Sequence, residues 1–294
     1  MMFNIPVLVL MGASILWGLS WLPLKEISAT GIGGITQIFL TYGILTLLLI
    51  PIVLRDMKVI ATHKKALLLI ALFGGGANLA FTYALINGEV IRVMVLFYML
   101  PVWGVLGGKL FLKESIDIWR YFGMGLAVIG AFLILGGFSA FSAPPSWIDL
   151  IALLSGLFFA MNNLVFRATQ TVKVSVKTTI MFLGCVLLAG ILLLGGVEEV
   201  SFSITYDTWM MIFAYAIFWL LFANIGSQWG VTHMEAGRSS IIIILELITA
   251  VISASLLTGE TMTLVELLGG AFILSAAFIE ALRTKDDDIP ETII

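Results

Sequence analysis

Charge is what this sequence lacks. Only 11% of its 294 residues are Asp, Glu, Lys or Arg, against about a quarter in soluble domains, which excludes an ordinary globular protein. A single cysteine, Cys185, excludes an intramolecular disulfide. The two histidines, His63 and His233, fall in loops or at helix ends with no metal-ligand spacing around them, so neither a metal site nor a membrane-embedded metalloenzyme is expected. No Gly-rich phosphate loop is present, which excludes an ATP-driven pump unless a partner brings the nucleotide site. No catalytic residue and no cofactor are expected. A net charge of −3 gives no reason to expect nucleic acid. The first apolar run, from Ile5, has no basic n-region and no cleavage motif and reads as a retained helix.

What is present is apolar: 61% of the residues are hydrophobic and the mean hydropathy is +1.12. A helix needs roughly 20 apolar residues to cross a bilayer. Ten runs meet that length: Ile5–Leu24, Gly33–Leu54, Ala66–Asn87, Val93–Leu112, Trp119–Gly136, Ile148–Phe166, Thr178–Gly196, Thr208–Val231, Gly237–Thr258 and Thr263–Leu282. They are continuous rather than alternating, which argues against a β-barrel. The expected fold is an all-α integral membrane protein of ten transmembrane helices, with a polar, acidic tail at 284–294. Ten spans put both termini on one side. Thirteen basic residues share that side (Arg55, Lys58, Lys64, Lys65, Lys109, Lys113, Arg120, Arg167, Lys173, Lys177, Arg238, Arg283 and Lys285), against Lys25 and Arg92 opposite. By the positive-inside rule both termini are cytoplasmic, in the plasma membrane.

The chain also repeats itself. A shift of 146 lays Ala77-Asn78 on Ala223-Asn224, "EVIR" from Glu89 on "EAGR" from Glu235, Glu114 on Glu260, and Gly123 on Gly269. A shift of 142 lays "WGLSWLPLK" from Trp17 on "FAMNNLVFR" from Phe159. Residues 1–140 and 147–283 therefore read as two five-helix repeats, and an odd number of spans in each inserts them in opposite senses. Inverted repeats meeting near the midplane mark secondary transporters. "WGLSWLPLK", "LFYMLPVWGVLGGKLFLKES" and "SLLTGETMTLVELLGGAFIL" resemble the EamA-type drug/metabolite transporters over nearly everything from Ile5 to Arg283. The resemblance implies ten helices around a central cavity and the export of small metabolites such as amino acids. It also implies a proline in the fourth helix of both halves, whereas here Pro101 has Leu247 as its mate.

Glu246 is the residue that most needs a reason. A carboxyl at a helix centre costs about 2.5–3.5 kcal/mol on insertion scales, so it is expected to face water or the protein interior. Ser239, Glu246, Thr249 and Ser253 make one polar stripe at helical spacing. Two roles stay open: a proton-coupling or substrate-amine site, and a permanently protonated acid bonded to a neighbouring helix. Asn78, Asn162, Asn163, Asn224 and Gln228 offer amides to a polar solute or to neighbouring helices. Trp17, Tyr83, Tyr98 and Trp219 are the aromatic candidates for a pocket wall, with ordinary packing as the alternative. Pro101, which removes its N–H and crowds the carbonyl of Phe97, is the candidate hinge, and Gly104 and Gly108 after it have helix-packing spacing. Glu114 and Glu260 read as caps for the helices that follow them. Arg92 and Arg238 read as partners of Glu89 and Glu235, in gates or in plain interfacial ion pairs. The expected partners are a small-molecule solute and the lipid bilayer, with the chain a monomer or homodimer. An amino acid or related metabolite ranks first as solute and a cationic amphiphile second, with a channel or receptor as the remaining class.

Overall fold

Inside a bilayer the backbone has no water to bond, so its N–H and C=O groups must pair within the chain. The computed structural model describes residues 5–87, 90–138, 142, 144–199, 204–258 and 263–282, and these contain helices and no strand. Glu89, Glu260 and the tail 284–294 lie outside the described residues, as does the side chain of Arg92. Seven helical stretches are long and apolar enough to cross a membrane: Ile5–Ala29, Gly34–Arg55, Lys64–Ala84, Val93–Phe111, Trp147–Ala168, Val174–Leu194 and Tyr206–His233. Two shorter apolar helices lie at Ile118–Ile134 and Leu264–Ile279.

Several of the expected spans are interrupted. The first consists of α1 (Ile5–Gly18) and α2 (Trp21–Ala29), so it runs past Leu24 and breaks at Leu19–Ser20. Pro23, having no N–H, leaves the carbonyl of Leu19 without its helical donor. α3 (Gly34–Arg55), the short α4 (Met57–Thr62) and α5 (Lys64–Asn87) follow. The Pro101 helix is divided into α6 (Val90–Phe97) and α7 (Leu100–Phe111), with Pro101 in the first turn of α7. The expected kink is a complete break at Tyr98–Met99. Gly156 packs against the Phe97 carbonyl, where a Cβ would come within 2.6 Å of the oxygen. Then come α8 (Ile118–Ile134), α9 (Trp147–Ala168), α10 (Val174–Leu194), and α11 (Tyr206–Tyr215) running through a π-helical turn, Ala216–Leu220, into α12 (Leu221–His233).

Residues 237–258 are not the continuous helix the isoleucine run suggests. They form α13 (Ala236–Ile243) and α14 (Leu245–Thr258), separated at Ile244, where Leu247 N–H bonds the Ile244 carbonyl at the tighter i+3 spacing. The expected stripe is split accordingly, Ser239 on α13 and Glu246, Thr249 and Ser253 on α14. α15 (Leu264–Leu282) completes the described chain and packs on α8.

Small residues set the close approaches. At the α8–α15 crossing, a Cβ on Gly130 would meet the Gly269 carbonyl at 2.6 Å, and one on Gly269 the Gly130 carbonyl at 2.7 Å. The other main pairings are α5 with α9, α3 and α5 both with α10, α1 with α12, and α7 with α13. The ends of α3 and α10 are fastened in a matching way. Glu198, beyond α10, accepts from the N–H groups of Ile35 and Thr36 at 2.9 Å each, and Asp56, beyond α3, pairs with Lys173 before α10 at 2.9 Å. Outward faces carry Leu47, Leu194, Phe218 and Leu256, all well exposed, as a lipid-facing surface requires.

Candidate functional site

The helix breaks surround a cavity of about 680 Å³ of empty space, mouth included. Its wall is largely apolar and aromatic, with Trp17, Phe81, Phe97, Phe159, Met181 and Ile243, and its polar groups are Ser14, Asn78, Asn224, Ser227, Gln228 and Glu246. Glu246 is the only ionisable residue among these lining residues. It reaches the cavity because the break at Ile244 puts it in the first turn of α14. Gly18, at the end of α1, lies against the same turn, with room for a Cβ removed by the Glu246 carbonyl at 2.5 Å. One carboxylate oxygen accepts a hydrogen bond from the Tyr98 hydroxyl at 3.2 Å. Tyr98 sits at the α6–α7 break, so this bond joins two broken helices.

Five of the ten candidate residues line the cavity: Trp17, Asn78, Asn224, Gln228 and Glu246. The two asparagines spend a donor on their own helices. Asn78 Nδ2 donates to the Gly74 carbonyl at 2.8 Å and Asn224 Nδ2 to the Leu220 carbonyl at 2.9 Å, the latter at the π-helical turn. Asn78 Oδ1 accepts from the Tyr42 hydroxyl at 2.9 Å. Asn162 and Asn163 lie fully buried outside the lining, where Asn162 Nδ2 donates to Gln228 Oε1 at 3.4 Å and to Asn163 Oδ1 at 3.3 Å. Asn162 thus reaches the cavity through Gln228, and Asn163 through Asn162. Ser14 Oγ, Asn162 Oδ1 and Asn163 Nδ2 are buried with no hydrogen-bond partner, so polar capacity is left over at and behind the wall.

The other aromatic candidates stand elsewhere. Tyr98 is not itself a lining residue but touches two that are, bonding Glu246 and packing edge-on to Phe97. Trp219 turns its indole N–H to the Leu16 carbonyl at 2.8 Å and to Ser20 Oγ at 3.1 Å, covering a carbonyl exposed by the α1–α2 break, and it lines a separate outer pocket with Pro23 and Phe218. Tyr83, half-buried, is not among the lining residues.

Among the wall residues not named as candidates from the sequence are Phe81, Phe97, Ser14 and Ser227. Phe97 stacks between Phe81, at 4.5 Å between ring centres, and Phe159, at 5.9 Å. Phe81 and Ser227 each follow a cavity asparagine by three residues, a spacing that places them on the same helix face and was available as a signal. Nothing in the sequence marks Ser14.

Glu114 is also corrected. It caps not the helix that follows it, which Asp117 caps by accepting from Arg120 N–H at 2.9 Å, but the distant α13, accepting from Ala236 N–H at 2.9 and 3.0 Å. Glu235 pairs with Arg120, and both are buried. Among the described residues no cluster of His, Cys, Asp and Glu could hold a metal ion.

The sequence profile of the EamA-like transporter family matches this chain twice, over residues 4–136 and 146–281. An uncharacterized transporter of Archaeoglobus fulgidus is 25% identical over 248 residues, covering 83% of this chain and 85% of that protein. A solved crystal structure, 16% identical, matches with a TM-score of 0.77 over 96% of this chain and 99% of its own, a likeness of fold alone.

Proposed function

This chain belongs to the EamA-like transporter family, and from that premise we propose that it is a secondary transporter exporting a small amine-bearing solute through the Glu246 cavity. Two inverted five-helix repeats alternate the access of the cavity to either face of the plasma membrane, with both termini cytoplasmic. The repeat reading is supported by the double family match and by the pairings of the fold. If each helix is exchanged for its repeat mate, α5 on α9 becomes α12 on α1, while α8 on α15, α3 on α10 and α7 on α13 map onto themselves; α5 on α10 has a weaker counterpart, α3 on α11 and the π-helical turn. The breaks at Tyr98–Met99 and Ile244 fall within the same register of the 146-residue shift, and broken helices at a repeat interface are where transporters of this architecture bind solute.

The observation that carries the proposal is the position of Glu246: one carboxylate, bonded by Tyr98 from the other half of the chain, opening into the cavity. Such a group can balance a solute ammonium or carry a proton, one at a time, which is the condition for exchange between them. In proteoliposomes with a pH gradient, Glu246→Gln is expected to abolish gradient-driven amine transport. PH-driven transport at the wild-type rate would overturn the coupling role.

An amino acid remains the first solute to test. A second reading, a cationic amphiphile, is favoured by the aromatic wall, which suits a cation over ring faces, and by the absence of any Lys or Arg from the lining residues. Leucine tested against its decarboxylated amine separates the two.

A further inference from the structure

Six ionisable side chains are buried together at the end of the bundle where α7, α9 and α12 finish and α8, α10 and α13 begin. Glu114 lies in the turn after α7, Arg120 in the first turn of α8, Arg167 in the last turn of α9 and Lys177 in the first turn of α10. Glu235 precedes α13 and Arg238 lies within it. None is more than 4% exposed. Charges removed from water are tolerated only where partners offset the desolvation, and breaking one pair strands another buried charge. An arrangement of that kind is either assembled or apart.

Its geometry centres on the α12–α13 corner. Ala236 N–H is held by both oxygens of Glu114 at 2.9 and 3.0 Å, and Arg167 Nε stands 3.9 Å from the nearer one. Arg120 bonds Glu235 and donates to the Ser115 carbonyl at 3.2 Å. Thr232, the penultimate residue of α12, receives Arg167 Nη1 on its carbonyl at 3.4 Å and Lys177 Nζ on its hydroxyl at 3.1 Å. Both arms of the corner lead to the cavity wall, through Gln228 one turn before Thr232 and through Ile243 at the far end of α13. Every residue of α13 is buried.

Two further features serve the same corner. Lys113 adopts φ 58°, a left-handed conformation that favours glycine, and so turns Glu114 back across the bundle. Gly104 and Gly108 of α7 leave the space that Ser240 and the Glu114 carboxylate occupy.

We propose that this cluster is the latch of one mouth of the cavity, opened when the α12–α13 corner lifts from Glu114, Arg120 and Arg167 together. The proposal rests on the cavity being a transport site, but it concerns how one side opens. Burial pushes the Glu114 carboxyl up to about 7, against the pull of Ala236 N–H, Arg167 and Arg120 and with the push of Glu235; Lys177 on α10 and Arg238 on α13 are the other buried charges at this end of the bundle. A group more easily protonated when shut in than when hydrated favours the shut form at low pH, so the contribution of Glu114 to the latch weakens as pH rises through 7.

The test is cysteine accessibility in inside-out membrane vesicles. Ser240→Cys, in a Cys185→Ala background, places a thiol on α13 at a position 1% exposed. An impermeant maleimide should label it slowly. Adding Glu114→Ala should speed labelling roughly tenfold, the scale of one lost hydrogen bond to a charged group. Glu114→Gln keeps an acceptor for Ala236 N–H and should remain slow. Unchanged labelling in folded Glu114→Ala protein, or equal acceleration by Glu114→Gln, would overturn the latch. If Glu114→Ala does not fold, the exchange Arg120→Glu with Glu235→Arg decides: slow labelling in the exchange with fast labelling in Glu235→Ala supports it, and equal rates in the two overturn it. No transported solute is needed, so a failed transport assay and a failed latch are separate outcomes.

Discussion

Tyr98 and Glu246 are 148 residues apart, yet their side chains meet at 3.2 Å at the point where both of their helices are interrupted. Tyr98→Phe keeps the ring that packs edge-on to Phe97 and removes only the donor. It is expected to weaken binding of an amine solute about tenfold, the scale of a hydrogen bond to a charged group, with little change in thermal stability. Equilibrium binding of the solute to the purified protein measures it, and unchanged affinity would reduce Tyr98 to a packing residue. Glu114 gives a second residue-scale prediction. Its carboxyl is raised from 4.5 to about 7 in the folded protein. The stability it contributes is therefore fully present below pH 4.5 and is lost as pH rises through about 7. Glu114→Gln should flatten that part of the melting-temperature profile between pH 5 and 8; an unaltered slope would assign it to another group. Glu246 was legible because an acid inside an apolar run demands a reason. The role of Glu114 was not, because its acceptor geometry is completed by Ala236, 122 residues away.

At the scale of elements, the break after Phe97 was legible and the one at Ile244 was not. Proline announces a missing donor; "IIIILELITAV" contains neither proline nor glycine and reads as one helix. What sits at that second break is tertiary. The end of α1 at Gly18 presses against the backbone of Glu246 and the Cβ of Thr249, which a Cβ on Gly18 would meet at 2.5 and 2.6 Å. The π-helical turn was hidden for a similar reason: its exposed carbonyl at Leu220 is bonded by Asn224, a residue equally readable as solute-facing. The close packing of α7 on α13 was legible from the spacing of Gly104 and Gly108. A Cβ on Gly104 would meet Cβ of Ser240 at 2.5 Å, so Gly104→Val is expected to destabilise the protein by roughly 1–3 kcal/mol through overpacking. Thermal unfolding in detergent measures the loss, and a neutral result would mean that α13 yields at this contact.

For the whole molecule, composition alone was enough to exclude a soluble domain, and the multi-pass membrane character follows from the helices and the family. The proposed arrangement of two inverted halves rests on pairings that no single segment reveals. Asp56 and Glu198 differ by 142 residues, one of the two shifts in the sequence, and each fastens the far end of the helix that pairs with its own. Two like units exchanged by such a symmetry lie antiparallel in the bilayer if each crosses it an odd number of times. The connection between the halves must then lie opposite the termini, and the excess of basic residues sets which face is which. Ser142 in that connection and Lys65 in the first turn of α5 are both exposed, so cysteines placed there one at a time in the Cys185→Ala background read the topology. In intact cells an impermeant maleimide is expected to label Ser142→Cys and to spare Lys65→Cys until the membrane is permeabilised. The reverse pattern would invert the orientation while leaving the repeats in place. Labelling of both from outside would mean an even number of crossings between them, and the paired five-helix units could not then be inserted in opposite senses.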